Sequence, residues 1–252
     1  MIILLSPAKS LDFESPVPDH GSSSPAFPAE TNRLVKAASR LSKPALRAIM
    51  PLSDKLIELN YRRYRGFAEQ PQRAAIHAFD GDVYRGFEAG TMDEAGMAFA
   101  QDHLRILSGL YGALKPLDAI RPYRLEMGTR WAPRHKSLVA FWGDRISARL
   151  ADDLAESGGD CVLNLASQEY FAAAEPGLRK RGIRIIDVDF RQDGPDGPRF
   201  ISFAAKRARG MAARYMCENR FDRVNALKDF AMDGYAFDPA ESTADSWRFT
   251  RA

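Results

Sequence analysis

The sequence predicts an α/β or α+β fold, a single compact domain over residues 1–252 built around a mixed sheet. Three observations lead there. Short apolar runs of strand length (Ile2 to Leu5, Cys161 to Leu165, Ile183 to Phe190 and Arg199 to Phe203) alternate with stretches of helical periodicity. No repeat, low-complexity tract or linker divides the 252 residues, a length that can bury an adequate core without disulfides. Cys161 and Cys217 lie far apart and outside any C-x-x-C spacing, so no disulfide framework is expected.

Taken in order, Ile2 to Leu5 is a buried strand that stops at Ser6-Pro7. The Pro-, Ser- and Gly-rich stretch from Glu14 to Pro28 is a loop. Thr31 caps a helix to about Leu41, with Leu34, Val35, Ala38 and Leu41 on one face. Ser42 or Pro44 opens a second helix. Ser53 caps a third, Asp54 to Arg65, with Leu56, Leu59 and Tyr64 inward. Ala74 to Phe79 is a short element, and Phe79 to Gly86 is rich in turns. Asp93 starts a helix through Leu107, and Phe141 to Glu156 is an amphipathic helix carrying Ile146, Leu150 and Leu154. Lys206 to Asn219 reads as a helix, and Asp222 caps another to Phe230. Tyr235 to Phe237 and Trp247 to Phe249 form a terminal hairpin.

Hydrophobic content of 45%, charged content of 27% and a formal net charge of +3 are those of an ordinary soluble protein, so any basic effect must be local. Met1 to Leu5 is too short for a signal-peptide core, and no stretch reaches the length of a membrane span. A cytoplasmic location and no membrane partner are expected. Charge is nonetheless uneven. Arg105, Lys115, Arg121, Arg124, Arg130 and Arg134 face only Asp118 and Glu126 over their span, and Lys206, Arg207, Arg209 and Arg214 have no acid between them.

The first of these stretches sets cations around a Ser108-Gly109-x-x-Gly112 turn with Tyr111 inside it. Glycines let a backbone approach a ligand closely, and turn N–H groups bind phosphate. Tyr111 and Tyr123 are either core aromatics or platforms for bases. A second convergence lies at strand ends: Ser6 and Lys9 after Leu5, Ser167, Glu169 and Tyr170 after Leu165, and Lys206, Arg207 and Arg209 after Phe203. Ligands of α/β sheets sit at carboxyl ends of strands, so parallel neighbours would bring these groups into one crevice. Ser6 and Ser167 are equally good helix caps. Glu126 and Glu169, carboxylates among cations, should be ionised. There is no P-loop, G-x-G-x-x-G, G-x-S-x-G or H-E-x-x-H, and His20, His77, His103 and His135 are scattered, so no cofactor or metal is expected.

Six motifs occur in order: Ser6-Pro-Ala-Lys-Ser-Leu-Asp12, Phe79-x-Gly-Asp-Val-Tyr-x-Gly86, His103-Leu-Arg-x-Leu-Ser-Gly-Leu-Tyr-Gly-x-Leu-x-Pro-Leu-Asp118, Arg121-Pro-Tyr-Arg-Leu-Glu-Met-Gly128, Asn164-Leu-Ala-Ser-x-Glu-Tyr-Phe171 and Ile201-Ser-Phe-x-Ala-Lys-x-Ala-Arg-Gly210. With these the chain resembles the bacterial YaaA peroxide-stress family from Met1 to about Phe249. The resemblance implies a cytoplasmic protein of the hydrogen peroxide response that protects DNA and proteins by limiting free iron. It also implies a positively charged cleft, a helix-hairpin-helix element and binding to duplex or distorted DNA. The hairpin maps onto Leu107 to Gly112. The residues offer no local iron site, so an indirect effect on iron is expected.

Two functions follow as expectations. In one, Arg105, Ser108, Gly109, Tyr111, Gly112, Lys115, Arg121, Arg124, Lys206, Arg207, Arg209 and Arg214 bind duplex, bent or junction DNA without catalysis. In the other, Ser6, Lys9, Ser167, Glu169 and Tyr170 form the crevice of an enzyme acting on nucleotides or nucleic-acid bases, with a small nucleotide as ligand.

Overall fold

A computed structural model describes residues 1–195 and 197–252. In chain order its strands are β1 (Ile2–Leu5), β2 (Ser10–Leu11), β3 (Arg73–Ala74), β4 (Phe79–Asp80), β5 (Leu104–Ser108), β6 (Gly112–Leu114), β7 (Ala119–Ile120), β8 (Cys161–Asn164), β9 (Arg184–Gln192), β10 (Tyr235–Asp238) and β11 (Ser246–Arg251). The helices are α1 (Pro28–Ala38), α2 (Lys43–Ile49), α3 (Asp54–Arg65), α4 (Ala75–Ala78), α5 (Asp82–Phe87), α6 (Glu94–His103), α7 (Leu138–Trp142), α8 (Arg145–Glu156), α9 (Gln168–Phe171), α10 (Glu175–Lys180) and α11 (Ser202–Glu218). The mixed α/β class is as expected.

Among the described residues the main sheet has seven strands in the order β10-β11-β9-β8-β1-β5-β6. β1 is an interior strand, fifth in that order and parallel to both β5 and β8, and every residue of Ile2–Leu5 is buried. A strand covered on both faces must be apolar throughout, which is why this run carries no alternation. β9 continues the parallel set beside β8, and β11 lies parallel to β9. The terminal hairpin forms as expected, β10 antiparallel to β11. It is held to β9 by Phe190, whose ring meets Phe230, Tyr235 and Phe249 at 6.1, 5.2 and 5.4 Å.

Several expectations are corrected. The stretch from Asp93 to Leu107 is not one helix: α6 ends at His103 and the chain enters β5, so the basic, glycine-punctuated stretch supplies a central parallel strand. Leu107 to Gly112 is the turn of an antiparallel β-hairpin, pairing Ser108 with Gly112, and not the turn between two helices. Gly112 has φ +77°, and an added Cβ would lie 2.9 Å from Trp142, so both the turn and its packing require glycine. Phe79 to Gly86 is mostly helix rather than turn. Arg199 to Phe203 is no strand: Arg199 makes one bridge to Gln192 and α11 begins at Ser202. The segment from Phe141 to Glu156 is divided between α7 and α8 around Gly143, with Ile146, Leu150 and Leu154 buried on α8. Asp222 caps no α-helix; Val224–Asp229 is a 3-10 helix entered from Arg223.

At the periphery, Thr31 does not cap α1, which starts at Pro28; its hydroxyl donates to the Leu110 carbonyl at 3.2 Å. On α3 the inward stripe is Ile57, Asn60 and Tyr64, while Leu56 and Leu59 are exposed. Tyr64 sets that rotation, because its hydroxyl donates to the Arg124 carbonyl at 2.7 Å and Ile57, seven residues earlier, shares its stripe. Ser42 caps α2 through a bond from the Ala45 N–H, as its position predicts.

Both cysteines are buried, Cys161 in β8 and Cys217 in α11. Burial pushes the Cys161 thiol up to about 12 and the Cys217 thiol further. The thiolate is the species that reacts with peroxide, so neither is a peroxide-reactive centre in the folded state. Folded protein treated with hydrogen peroxide and a sulfenic-acid trap is expected to show no adduct at either position by mass spectrometry, and modification only after denaturation.

No helix among the described residues is long and apolar enough to cross a membrane.

Candidate functional site

The carboxyl ends of β1 and β8 are adjacent, and the chain leaves both strands into polar residues. Leu165 N–H still donates to the Leu4 carbonyl at 3.0 Å, which carries the pairing one residue past β8. Ser6 and Ser167 then meet: the Ser167 N–H donates to Ser6 Oγ at 2.8 Å and Ser6 Oγ–H donates to Ser167 Oγ at 3.2 Å. Ser167 occupies the N-cap position of α9 without capping it. The two serines therefore lace β1 to β8 instead of each capping its own helix. Asn164 anchors the same corner, donating to Asp187 Oδ1 at 2.7 Å and accepting from the Ala166 N–H at 3.0 Å.

Above this corner lies a crevice of about 390 Å³ lined by Ser6, Lys9, Asp80, Asp82, Tyr84, Ser167, Glu169, Tyr170, Lys206 and Arg209, among others. The strand-end convergence is thus present. Its third contribution comes from the first turns of α11 and not from a strand. Sequence reasoning missed Asp80, Asp82 and Tyr84; the Phe79-x-Gly-Asp-Val-Tyr-x-Gly86 motif was the available signal. A neighbouring hollow of about 510 Å³ shares Lys9 and Glu169 and adds Met50, Arg124, Glu126 and Arg130.

Glu169 accepts the Gly128 N–H at 3.0 Å, and Tyr84 donates to the Ser6 carbonyl at 3.0 Å. Burial, reinforced by Glu169 and Glu126, pushes the Tyr170 phenol well up, so this hydroxyl stays protonated. Glu126 joins Lys9 Nζ at 3.1 Å and Arg124 at 2.5 Å. Burial opposes its ionisation, but the hydrogen bonds from Arg124 and Lys9 outweigh that and hold its carboxyl below the usual range.

Arg209 differs from the other arginines of the candidate set. Burial opposes its charge, and its Nε is enclosed without a hydrogen-bond partner. Lys206 and Arg207 are exposed on the same helix, and none of the three makes an ion pair among the described residues. An arginine cannot shed its proton, so an unpaired guanidinium in a crevice wall is a standing demand for an anion. The lining is otherwise balanced: Lys9, Lys206 and Arg209 stand against Asp80, Asp82 and Glu169. It is a mixed-charge crevice in which the α11 cations make no ion pair among the described residues.

The remaining expected nucleic-acid residues are placed elsewhere. Arg105 is 2% exposed, and its Nε donates to Asp153 at 2.7 Å. Ser108 is buried, shares a 2.6 Å hydrogen bond with the Tyr123 hydroxyl and accepts the Tyr111 N–H at 3.0 Å. Tyr111 and Tyr123 pack edge to face, and burial pushes the Tyr111 phenol up to about 12. Gly109 is enclosed too; an added Cβ would lie 2.3 Å from the Leu125 carbonyl oxygen. These residues and Gly112 are core, and their N–H groups do not face solvent phosphate. Lys115 lines a hollow with Arg105 and Asp153 at the other end of β5. Arg121 donates to the Ala68 carbonyl, Arg124 is engaged by Glu126, and Arg214 is pinned to Glu218 and the Glu88 carbonyl.

Comparison with known proteins agrees with the motifs. The peroxide stress protein YaaA family matches residues 1–241. A UPF0246 protein of Rhizorhabdus wittichii is 54% identical over 252 residues, covering 100% of this chain and 99% of the relative. UPF0246 proteins of Azoarcus sp. and Burkholderia multivorans are 48% and 45% identical, each over 100% of this chain and 99% and 98% of their own lengths. The chain belongs to the YaaA peroxide-stress protein family.

Proposed function

We propose that this peroxide-stress protein binds DNA, with the amino-terminal half of α11 as the phosphate-contacting element and the strand-end crevice beside it. The observation that carries this reading is Arg209, whose enclosed Nε has no hydrogen-bond partner and whose guanidinium makes no ion pair among the described residues, Asp189 acting on it only from a distance; it is flanked on one helix by the exposed cations Lys206 and Arg207. Cations spaced along a helix suit a phosphate backbone, and such contacts give affinity without sequence preference. Phe203, one turn earlier, is 65% exposed, and aromatics interleaved with cations mark surfaces that hold distorted or single strands. Shielding DNA in this way fits a role in peroxide resistance, and any lowering of free iron is then an indirect consequence.

The test is fluorescence anisotropy of duplex, bulged and junction DNA over a salt series. Each phosphate neutralised contributes about 0.9 to the magnitude of the log–log slope on B-DNA. Replacing Lys206, Arg207 and Arg209 together by glutamine is expected to weaken binding to every DNA and to lower the slope by up to about 3. Arg121→Gln, whose guanidinium serves the Ala68 carbonyl, should change it little. An unchanged slope in the triple variant would end this reading.

The crevice supports a second reading, an enzyme acting on nucleotides or bases, because Ser6, Lys9, Ser167, Glu169 and Tyr170 do line one cavity. Product formation from nucleotides or damaged DNA, followed by mass spectrometry and abolished by Glu169→Gln with DNA binding intact, would establish it.

A further inference from the structure

The crevice is not built for duplex backbone alone. Its cations Lys206 and Arg209, unpaired among the described residues, come from α11, and the same lining offers Asp80, Asp82 and Glu169. Carboxylates repel phosphate. They accept hydrogen bonds from the exocyclic amines and ring N–H groups of bases, as they do from cytosine N4 in groove readout. A volume of about 390 Å³ is that of a small-ligand pocket, far too small for a base pair with its backbone.

The mouth supplies the remaining element. Phe203 lies three residues before Lys206 on α11 and is 65% exposed. Residues three apart on a helix are surface neighbours, so this ring stands beside the cation that enters the crevice. Phe200, 49% exposed, sits just before the helix with the Arg191 guanidinium 5.6 Å from its ring centre. Apolar rings left in water beside an anion-seeking wall are placed to fill the space of a departed base or to stack on its neighbour.

We propose that the crevice takes one unstacked nucleotide of a DNA strand, its phosphate on Lys206 and Arg209, its base among Asp80, Asp82 and Glu169, and Phe203 stacked on the adjoining base at the mouth. This rests on the DNA-binding reading and names the form of DNA the site holds. It explains why the lining mixes charges: the two signs serve different parts of one ligand.

The experiment uses the full chain and a duplex with 2-aminopurine opposite an abasic site, beside the same duplex fully paired. Binding is expected to raise 2-aminopurine emission as the base leaves the stack, with the abasic duplex preferred over the paired one. Phe203→Ala should lose roughly five- to 150-fold in affinity for the abasic duplex, the range of one base–aromatic stack, and little for the paired duplex. Phe203→Trp should restore the preference. Phe203 is exposed, so folding is not at stake. Free nucleoside monophosphate should compete poorly, since it lacks the stacked neighbour; competition on a par with the strand would make this a small-nucleotide site and overturn the inference. Salt-sensitive binding of both duplexes with equal affinity and flat emission would overturn the inference alone. Failure of both duplexes to bind would overturn the DNA-binding reading with it.

Discussion

Asp153→Ala is expected to destabilise the protein by about 3–5 kcal/mol, the usual result of removing one partner from a buried ion pair. Arg105 and Asp153 are 2% and 1% exposed. The guanidinium also donates to the carbonyls of Gln101 and Leu104 at 3.0 and 2.7 Å, and Arg149 bonds the other carboxylate oxygen of Asp153. This network ties α8 to β5, which pairs with the buried strand β1. Without the carboxylate, Arg105 keeps its charge while almost wholly buried. Denaturant titration should show the loss, and the thermal midpoint should fall by roughly 6–20 °C. The double variant Arg105→Met, Asp153→Leu should recover most of it, because apolar residues of similar volume replace such pairs at little cost.

The pH dependence follows the same pair. Burial opposes ionisation of Asp153, yet the hydrogen bonds from Arg105 and Arg149 prevail and its folded-state value lies below the ordinary one. A depressed carboxylate contributes stability that is fully present above its unfolded value, about 3.9, and is lost as pH falls through the lower folded value. Wild type should therefore lose stability below about pH 4 more steeply than Asp153→Ala, and the two curves should approach each other in acid.

Gly210→Ala is expected to cost about 3 kcal/mol, at the upper end for overpacking, although alanine is the better helix former by about 1 kcal/mol. A Cβ at Gly210 would lie 1.8 Å from the Val83 carbonyl oxygen, and one at Gly86 would lie 2.1 Å from the Arg207 carbonyl oxygen. Helices α5 and α11 thus cross glycine to glycine, backbone against backbone. Neither carbonyl can swing aside as a side chain tip would, so the helices must separate. Separation displaces Lys206 and Arg209 relative to Asp80 and Asp82, so DNA binding should fall together with stability. The glutamine triple variant on α11 should lose binding with stability kept. Gly90→Ala, which meets open space, should be nearly neutral in a thermal melt.

These two sites show where sequence reading succeeds and where it stops. Apolar runs with no polar interruption, Ile2 to Leu5 and Cys161 to Leu165, are legible as buried strands because only such composition survives burial on both faces. β5 is likewise an interior, fully buried strand, yet its sequence reads as the end of a helix. Arg105 interrupts its apolar run, and the preceding helix leads into it without a break. The guanidinium that disguises the strand is neutralised by Asp153, 48 residues away, a partner no local pattern announces. The Ser108 to Gly112 turn is ambiguous for a related reason: glycines that admit a phosphate and glycines that admit a tryptophan look alike in sequence.

The sequence by itself determined the mixed α/β class, the polar groups that follow β1 and β8, and membership of the peroxide-stress family. Each is written in local composition or in contiguous motifs. Only the tertiary structure decided which cations are free. Arg105, Arg121 and Arg214 are consumed by carboxylates and carbonyls brought from elsewhere in the chain, and Arg124 by its near neighbour Glu126 together with the distant Lys9 carbonyl, whereas Lys206, Arg207 and Arg209 make no ion pair among the described residues. Charge is a property of a residue, but availability for a ligand depends on every group that packs within reach of it, and that is settled by folding.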